Sequence, residues 1–430
     1  EGLSGALAGY RETLTAALAE RRVVARRQVE TVREQCGVHA GDTGWFAGLP
    51  AQAAASPCAD DAMRARIAAG ALLAREAYAG FARFLVEAYL PHAAADDAVG
   101  ADRYARAAVN HLGLKLDAPE AYSWAWNEIR RLEAEIRRVT AQIDPSCSVP
   151  ELVQRLKMDP TTRAASREDF VRLMTERQLQ ALAQLDGVHF DVPAGARRID
   201  VKVAPPGGPL GAYYMPASED FSRPGCVWYS MGDHKCPPLF AEISTAYHEG
   251  FPGHHLQICI QIAQAERLSR FQRVASGNTG HAEGWALYAE QLMLELGYFE
   301  RPEYELGMYI EQLVRAWRVV VDIGLHLELP IPADSDFHPG EHWNHELMLE
   351  AMHRRAHLGE DSARSEVIRY MGWPAQAIAY KLGQRTILAL REERRAREGA
   401  AFSLKRFHAR VLEVGSVGLD LLAKVVREPA

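Results

Sequence analysis

The stretch Thr245-Ala-Tyr-His-Glu-Gly-Phe-Pro-Gly-His-His-Leu-Gln257 constrains this chain more than any other, because it gathers His248, Glu249, His254 and His255 around a Pro-Gly pair. In a His-Glu-x-x-His helix the two histidines sit four apart on one face, bind a metal and leave the intervening glutamate free as a base. Here the second histidine comes six or seven positions on. On a regular helix the sixth residue lies roughly 240° round the axis, and the seventh returns to the same face about 10 Å further along. Neither makes a compact site. Pro252-Gly253 lies inside the gap; it removes a backbone donor and admits unusual dihedrals, so the helix is predicted to bulge or break there. A break can bring His254 to the place of a fourth-on residue. His248 and His254 are therefore the expected nitrogen ligands, with His255 the alternative to His254. Glu249 is the expected base and Glu283, in Gly280-His-Ala-Glu-Gly-Trp-Ala-Leu-Tyr-Ala-Glu290, the expected oxygen ligand, with Zn2+ as the ion. One histidine on a helix is more often core or surface, and a glutamate at a helix start often only compensates the dipole. The grouping argues for a metal.

Nothing in the totals points elsewhere. A formal charge of -7 and a pI near 6.2 give no electrostatic reason to bind nucleic acid or an anionic membrane. No stretch approaches the roughly 18 apolar residues of a membrane span. The six cysteines form no closely spaced pair, so reduced thiols in a cytoplasm are expected. The chain begins at Glu1 rather than Met, which is compatible with a trimmed start.

Helical periodicity dominates. One long helix is predicted from Leu3 to about Gln35, a break over 41–57, and helices over about 60–89 and 98–112. Another opens at Asp117-Ala-Pro-Glu120, with Trp124, Ile129, Leu132, Ile136 and Val139 on its core face. Arg167–Leu185 resumes the pattern. From Val188 to about Ser230 the composition shifts to Pro, Gly, Val and Tyr. A small antiparallel sheet is predicted there, from Ile199-Val201-Val203 and from Gly211–Tyr214 after a Pro206-Gly-Gly-Pro209 turn. An edge strand beside the metal helix could bind substrate backbone by strand addition. Two regions result, an N-terminal helical one over 1–187 and a metal-site one over 188–430. A helix from about Glu303 carries Arg315, Arg318, Asp322 and His326 on one broad face. Charged groups on so apolar a helix need partners; they would support the metal, clamp a substrate carboxylate or form a structural ion-pair network. On a later helix, Tyr380 and Gln384 could hydrogen-bond a developing oxyanion.

The motifs Tyr214–Gly225, His248–His255, Glu283–Glu290, Arg315–His326, Glu366–Tyr370 and Phe407-His408 together resemble the bacterial domain-of-unknown-function 885 proteins, which look like distant relatives of the helical zinc peptidases. The resemblance implies a mainly helical, bowl-like peptidase fold, zinc on two histidines and a glutamate, and action on a peptide or small amide. It favours His254, which follows a glycine as second ligands in helical zinc peptidases often do, and it makes Tyr380 the oxyanion donor. Pro374-Ala-Gln376 departs from the family's usual Pro-Gly-Gln. Two other classes fit the same residues: an iron or manganese oxidoreductase with a two-histidine-one-carboxylate site, and a non-catalytic, metal-stabilised binding protein.

Overall fold

The structure, a computed structural model, describes residues 2–204, 211–231 and 236–428. The Pro206-Gly-Gly-Pro209 turn lies outside the described residues. The chain separates into two units, Glu1–Val99 and Gly100–Ala430, a division earlier than the change of composition at Val188.

In the first unit, helices Arg26–Ala40 and Asp61–Phe84 close on a core of Val29, Cys36, Phe81, Phe84, Leu85 and Tyr89, with Leu7, Leu14 and Leu18 of helix Gly2–Ala19 against it. The single helix expected to Gln35 is broken after Ala19. Arg21 takes a left-handed φ of 55°, and Val24 and Arg26 bond to the backbone of Ala94 instead of continuing a helix. The stretch read as a break contains helix Trp45–Ala55, which carries Pro50 within it.

In the second unit, helix Ala118–Ile143 starts where Asp117 accepts from the Glu120 N–H at 3.1 Å. It lies along helix Pro302–His326 and buries Tyr122, Trp126, Ile129, Leu132, Ile136 and Val139. Trp124 is not on that face; it is partly exposed, with the Arg385 guanidinium 4.6 Å above its ring.

The sheet is mixed, not antiparallel. Strands β1 (Ile199–Val203), β2 (Ala212–Met215) and β3 (Gly225–Tyr229) are ordered β1-β3-β2; β1 runs parallel to β3 and β2 antiparallel to it. The central β3 reads Gly-Cys-Val-Trp-Tyr and is buried at four of its five positions. A strand covered on both faces shows no alternation, so its pattern gave no strand signal.

Two helices that carry site residues, Thr279–Glu295 and Ala379–Glu398, cross at glycine. A Cβ on Gly284 would lie 2.4 Å from Gly383 C, and one on Gly383 would lie 2.0 Å from Gly280 O. This backbone contact sets Glu283 and Tyr380 on adjoining elements. Ahead of the second helix, Ala375 adopts φ 63° and donates its N–H to Asp322 Oδ2 at 3.0 Å. Ala375→Gly is expected to raise stability by about 0.5 kcal/mol, relief of the left-handed strain being partly offset by loss of a buried methyl. The midpoint of chemical unfolding checks this. Among the described residues, no helix is long and apolar enough to cross a membrane.

Candidate metal centre

The helix that begins at Glu242 stops at Glu249, and a second, His254–Ala263, starts after Gly250-Phe-Pro-Gly253. The break is held on both sides. The Phe251 N–H donates to Gln178 Oε1 at 3.3 Å and Trp285 Nε1 donates to Pro252 O at 2.9 Å. It sets the rings of His248 and His254 4.9 Å apart at 85°. Glu283, in the first turns of helix Thr279–Glu295, presents Oε2 3.4 Å from His248 Nε2 and 3.5 Å from His254 Nε2. Glu249 adjoins both histidines, since ligand atoms of His248, Glu249 and His254 all lie within 4.8 Å of one another. Two trios are thus possible, and the histidines are common to both. Glu283 has the shorter approach to the two ring nitrogens.

These residues fit a cation. Glu283 Oε2 is buried without a hydrogen-bond partner, and its separations from the two nitrogens exceed those of charge-assisted hydrogen bonds. They match the edge of a tetrahedron around zinc, about 3.4 Å for zinc–ligand distances near 2.1 Å. Burial opposes charge on Glu283, yet His248 and His254 hold it well below the usual carboxylate range. Burial likewise opposes charge on His248, but Glu283 and Glu290 outweigh it and lift the imidazole to about 10. For Glu249, burial wins over the two histidines and pushes the carboxyl up.

His255 points elsewhere. Its Nε2–H donates to Ala196 O at 2.8 Å and its Nδ1 faces the Tyr214 hydroxyl at 3.0 Å. Both ring nitrogens are therefore committed to the sheet side, and burial holds the ring down to about 4. Tyr380 lies over His248, ring centroids 6.5 Å apart and nearly parallel, with the Arg318 guanidinium 4.6 Å from its ring centroid. Burial and then Glu283 push its hydroxyl up to about 12.

The charged face of helix Pro302–His326 divides. Arg318 donates to Tyr370 Oη at 2.8 Å and to Glu366 at 2.7 Å. Arg315 pairs with Glu311, and its Nε is buried with no partner among the described residues. Asp322 accepts from Tyr104 Oη at 2.6 Å, and His326 Nε2 donates to Tyr370 O at 3.1 Å. These last two belong to packing between helices and do not approach the histidines. Gln384 donates to Leu287 O at 3.0 Å and accepts from Lys381, so it stands behind the centre rather than at an oxyanion position.

Sequence reasoning did not single out Glu290, whose Oε1 lies 2.7 Å from His248 Nδ1. Seven positions after Glu283, it shares a helical face with it, and that spacing was a usable signal. The Phe407-His408 motif is structural. His408 Nδ1–H donates to His189 O at 3.1 Å, Nε2 accepts from Tyr288 Oη at 2.9 Å, and burial lowers the ring to about 3. An unfolded histidine titrates near 6.5, so the folded state binds fewer protons below that pH. The stability His408 contributes is whole above pH 6.5 and is lost as pH falls, by about 2–3 kcal/mol at pH 4.5. Urea midpoints at pH 7 and 4.5 are expected to converge in His408→Gln relative to the unsubstituted chain.

The family model described as bacterial protein of unknown function (DUF885) matches residues 1–426. The chain belongs to this family. No curated protein matches it. Two solved structures, each described as a "putative lipoprotein", share its fold. That of Colwellia psychrerythraea is 27% identical with a TM-score of 0.83, covering 99% of this chain and 74% of that one. That of Shewanella oneidensis, described as of unknown function, is 20% identical with a TM-score of 0.68, covering 94% and 73%.

Proposed function

We propose that this DUF885 protein is a zinc-dependent hydrolase of peptide or amide bonds. The observation that carries the reading is one partnerless carboxylate oxygen facing two imidazole Nε2 atoms at 3.4 and 3.5 Å, with a second carboxylate, Glu249, left over beside them. In this reading His248, His254 and Glu283 hold the ion. Zinc would supply a Lewis acid and make water a nucleophile near neutral pH. Glu249 takes the proton from the attacking water and later passes it to the leaving amine. Tyr380, whose ring lies beside both His248 and Arg318, donates its hydroxyl hydrogen to the carbonyl oxygen as that oxygen gains charge. Arg315 would pair a free carboxylate of the substrate through N–H groups not used by Glu311. Strand β2 is an edge strand in contact with helix Glu242–Glu249 and offers backbone groups to an extended peptide. The bowl-like zinc-peptidase fold and a distant kinship with helical zinc peptidases are part of the proposal. So is a cytoplasmic setting, with which six free cysteines agree.

An iron or manganese oxidoreductase would use the same three ligands but has no need of Glu249. Metal analysis of aerobically purified protein, and incubation with a library of peptides and N-acyl amino acids read by mass spectrometry, separate the readings. About one zinc per chain and products heavier by the elements of water are expected. Iron with oxygen uptake, or a library left unchanged by the metal-loaded protein, would sink the proposal.

A further inference from the structure

Behind His248 the buried polar groups form one continuous chain. Glu290 Oε1 meets His248 Nδ1 at 2.7 Å, and Glu290 Oε2 accepts from Ser244 Oγ and Gln312 Nε2, both at 2.9 Å. Gln312 Oε1 accepts from Lys381 Nζ at 2.8 Å. The other two N–H groups of Lys381 go to Gln384 Oε1 at 2.8 Å and Glu128 Oε1 at 2.9 Å. Glu290, Gln312, Lys381 and Gln384 are each at most 3% exposed. Five helices contribute to this chain, and Lys381 touches none of the proposed ligands.

The donor and acceptor roles run in one direction. An ammonium has three donors and no acceptor, so each atom facing Lys381 Nζ must be an oxygen. Gln384 confirms this from its far end, where its Nε2 donates to Leu287 O at 3.0 Å. With its oxygen toward Lys381, Gln312 has to turn its NH2 toward Glu290. A flipped amide would set N–H against ammonium and oxygen against carboxylate, in a buried setting where mismatched polar atoms cost most. Glu290 Oε2 then receives two donors, which favour the ionised carboxylate that can only accept; Oε1 receives a third, and the hydrogen of that third bond sits on His248 Nδ1. The nitrogen left over, Nε2, is the one that faces Glu283 and His254.

We infer that Lys381 is a positioning residue: through Gln312 and Glu290 it keeps a hydrogen on His248 Nδ1, so that Nε2 is the atom whose proton a metal ion displaces. The metal half of this inference rests on the proposed zinc site. A purely structural role would instead lie in the Lys381–Glu128 ion pair, which ties helix Ala118–Ile143 to helix Ala379–Glu398. The two roles separate by substitution. Lys381→Met removes the directing donor, and Lys381→Gln fills the space with a group that accepts as readily as it donates. Gln312→Leu breaks the next step, while Glu128→Gln removes the ion pair and spares the Lys381–Gln312 bond.

Full-length chains are compared in two measurements. In zinc titrations against a chromophoric chelator, Lys381→Met, Lys381→Gln and Gln312→Leu are expected to weaken binding about ten- to a hundredfold. The Lys381→Met/Gln312→Leu pair should be no weaker than the worse single variant, because both break one chain. Glu128→Gln should change zinc affinity less than about threefold while lowering the thermal midpoint. In proton NMR of the metal-free chains, the low-field Nδ1–H signal of His248 is expected in the unsubstituted protein and in Glu128→Gln, and is expected to vanish in the Lys381 and Gln312 variants. A Lys381→Gln chain that folds, keeps that signal and binds zinc like the parent overturns the inference. An unsubstituted chain that binds no zinc, yet loses the signal in Lys381→Gln, refutes the hydrolase reading and upholds the hydrogen-bond order.

Discussion

Glu249→Gln is expected to bind zinc as the unsubstituted chain does and to turn over about a thousandfold more slowly. The change is nearly isosteric, so it leaves no cavity where Glu249 meets the break. It removes only the capacity to accept a proton, and general-base assistance is typically worth about a hundred- to ten-thousandfold. The three groups proposed as ligands are untouched. Glu283→Gln is the contrasting case. It weakens the oxygen that faces both imidazoles at 3.4 and 3.5 Å, and is expected to lose metal and activity together. Metal content and product formation measured on the same samples decide between the two carboxylates. If Glu249→Gln lost the ion while Glu283→Gln kept it, ligand and base would have to be exchanged, as the compact trio of His248, Glu249 and His254 would allow.

The centre was legible in the sequence where backbone chemistry is local. Pro252-Gly253 announces an interruption whatever the fold around it, and the interruption alone shows that His254 can reach His248. The helix Arg167–Leu185 was legible to the residue, because Ser166 and the acids after it mark a start and the apolar period marks its length. What lies behind the centre was not legible. Gln312, Lys381 and Glu128 sit at helical spacings that suit solvated faces equally well, and only tertiary contact shows that they are buried against one another. The parallel pairing of β1 with β3 is non-local in the same way. Asp322 and His326 show the opposite error. Spacing placed them correctly on the face of Arg315, but His326 is eleven residues on, roughly 16 Å along the axis, too far to share one site. A face is a direction, and the sequence does not say where along it the neighbour ends. Helices Val149–Met158 and Leu419–Arg427 were missed for a simpler reason. The first is short and bracketed by Asp-Pro pairs, and the second follows a Gly-Ser-Val-Gly run that reads as the end of ordered structure.

Gly253→Ala is expected to cost about 3 kcal/mol or more and to weaken zinc binding at least tenfold. A Cβ built on Gly253 lies 2.0 Å from His248 O and 2.4 Å from Tyr247 O. Both atoms are backbone, so no side chain can rotate away to make room. One belongs to a proposed ligand and the other to the residue before it. Relief requires the end of helix Glu242–Glu249 and the start of helix His254–Ala263 to move apart by about 1 Å, which is overpacking at its most costly. That movement separates His248 from His254. Their nitrogens now match a tetrahedral edge from Glu283, and no rotamer change restores two ring positions at once. Gly70→Ala is the control, since a Cβ there meets nothing within 4 Å and alanine is the better helix former by about 1 kcal/mol. Unfolding midpoints and zinc titrations on the two variants should diverge, Gly70→Ala level with the parent or above it and Gly253→Ala well below. A Gly253→Ala chain with parental stability and zinc affinity would mean that the break is wider than the close approach of its two carbonyls implies, and that His254 reaches the centre by some other route.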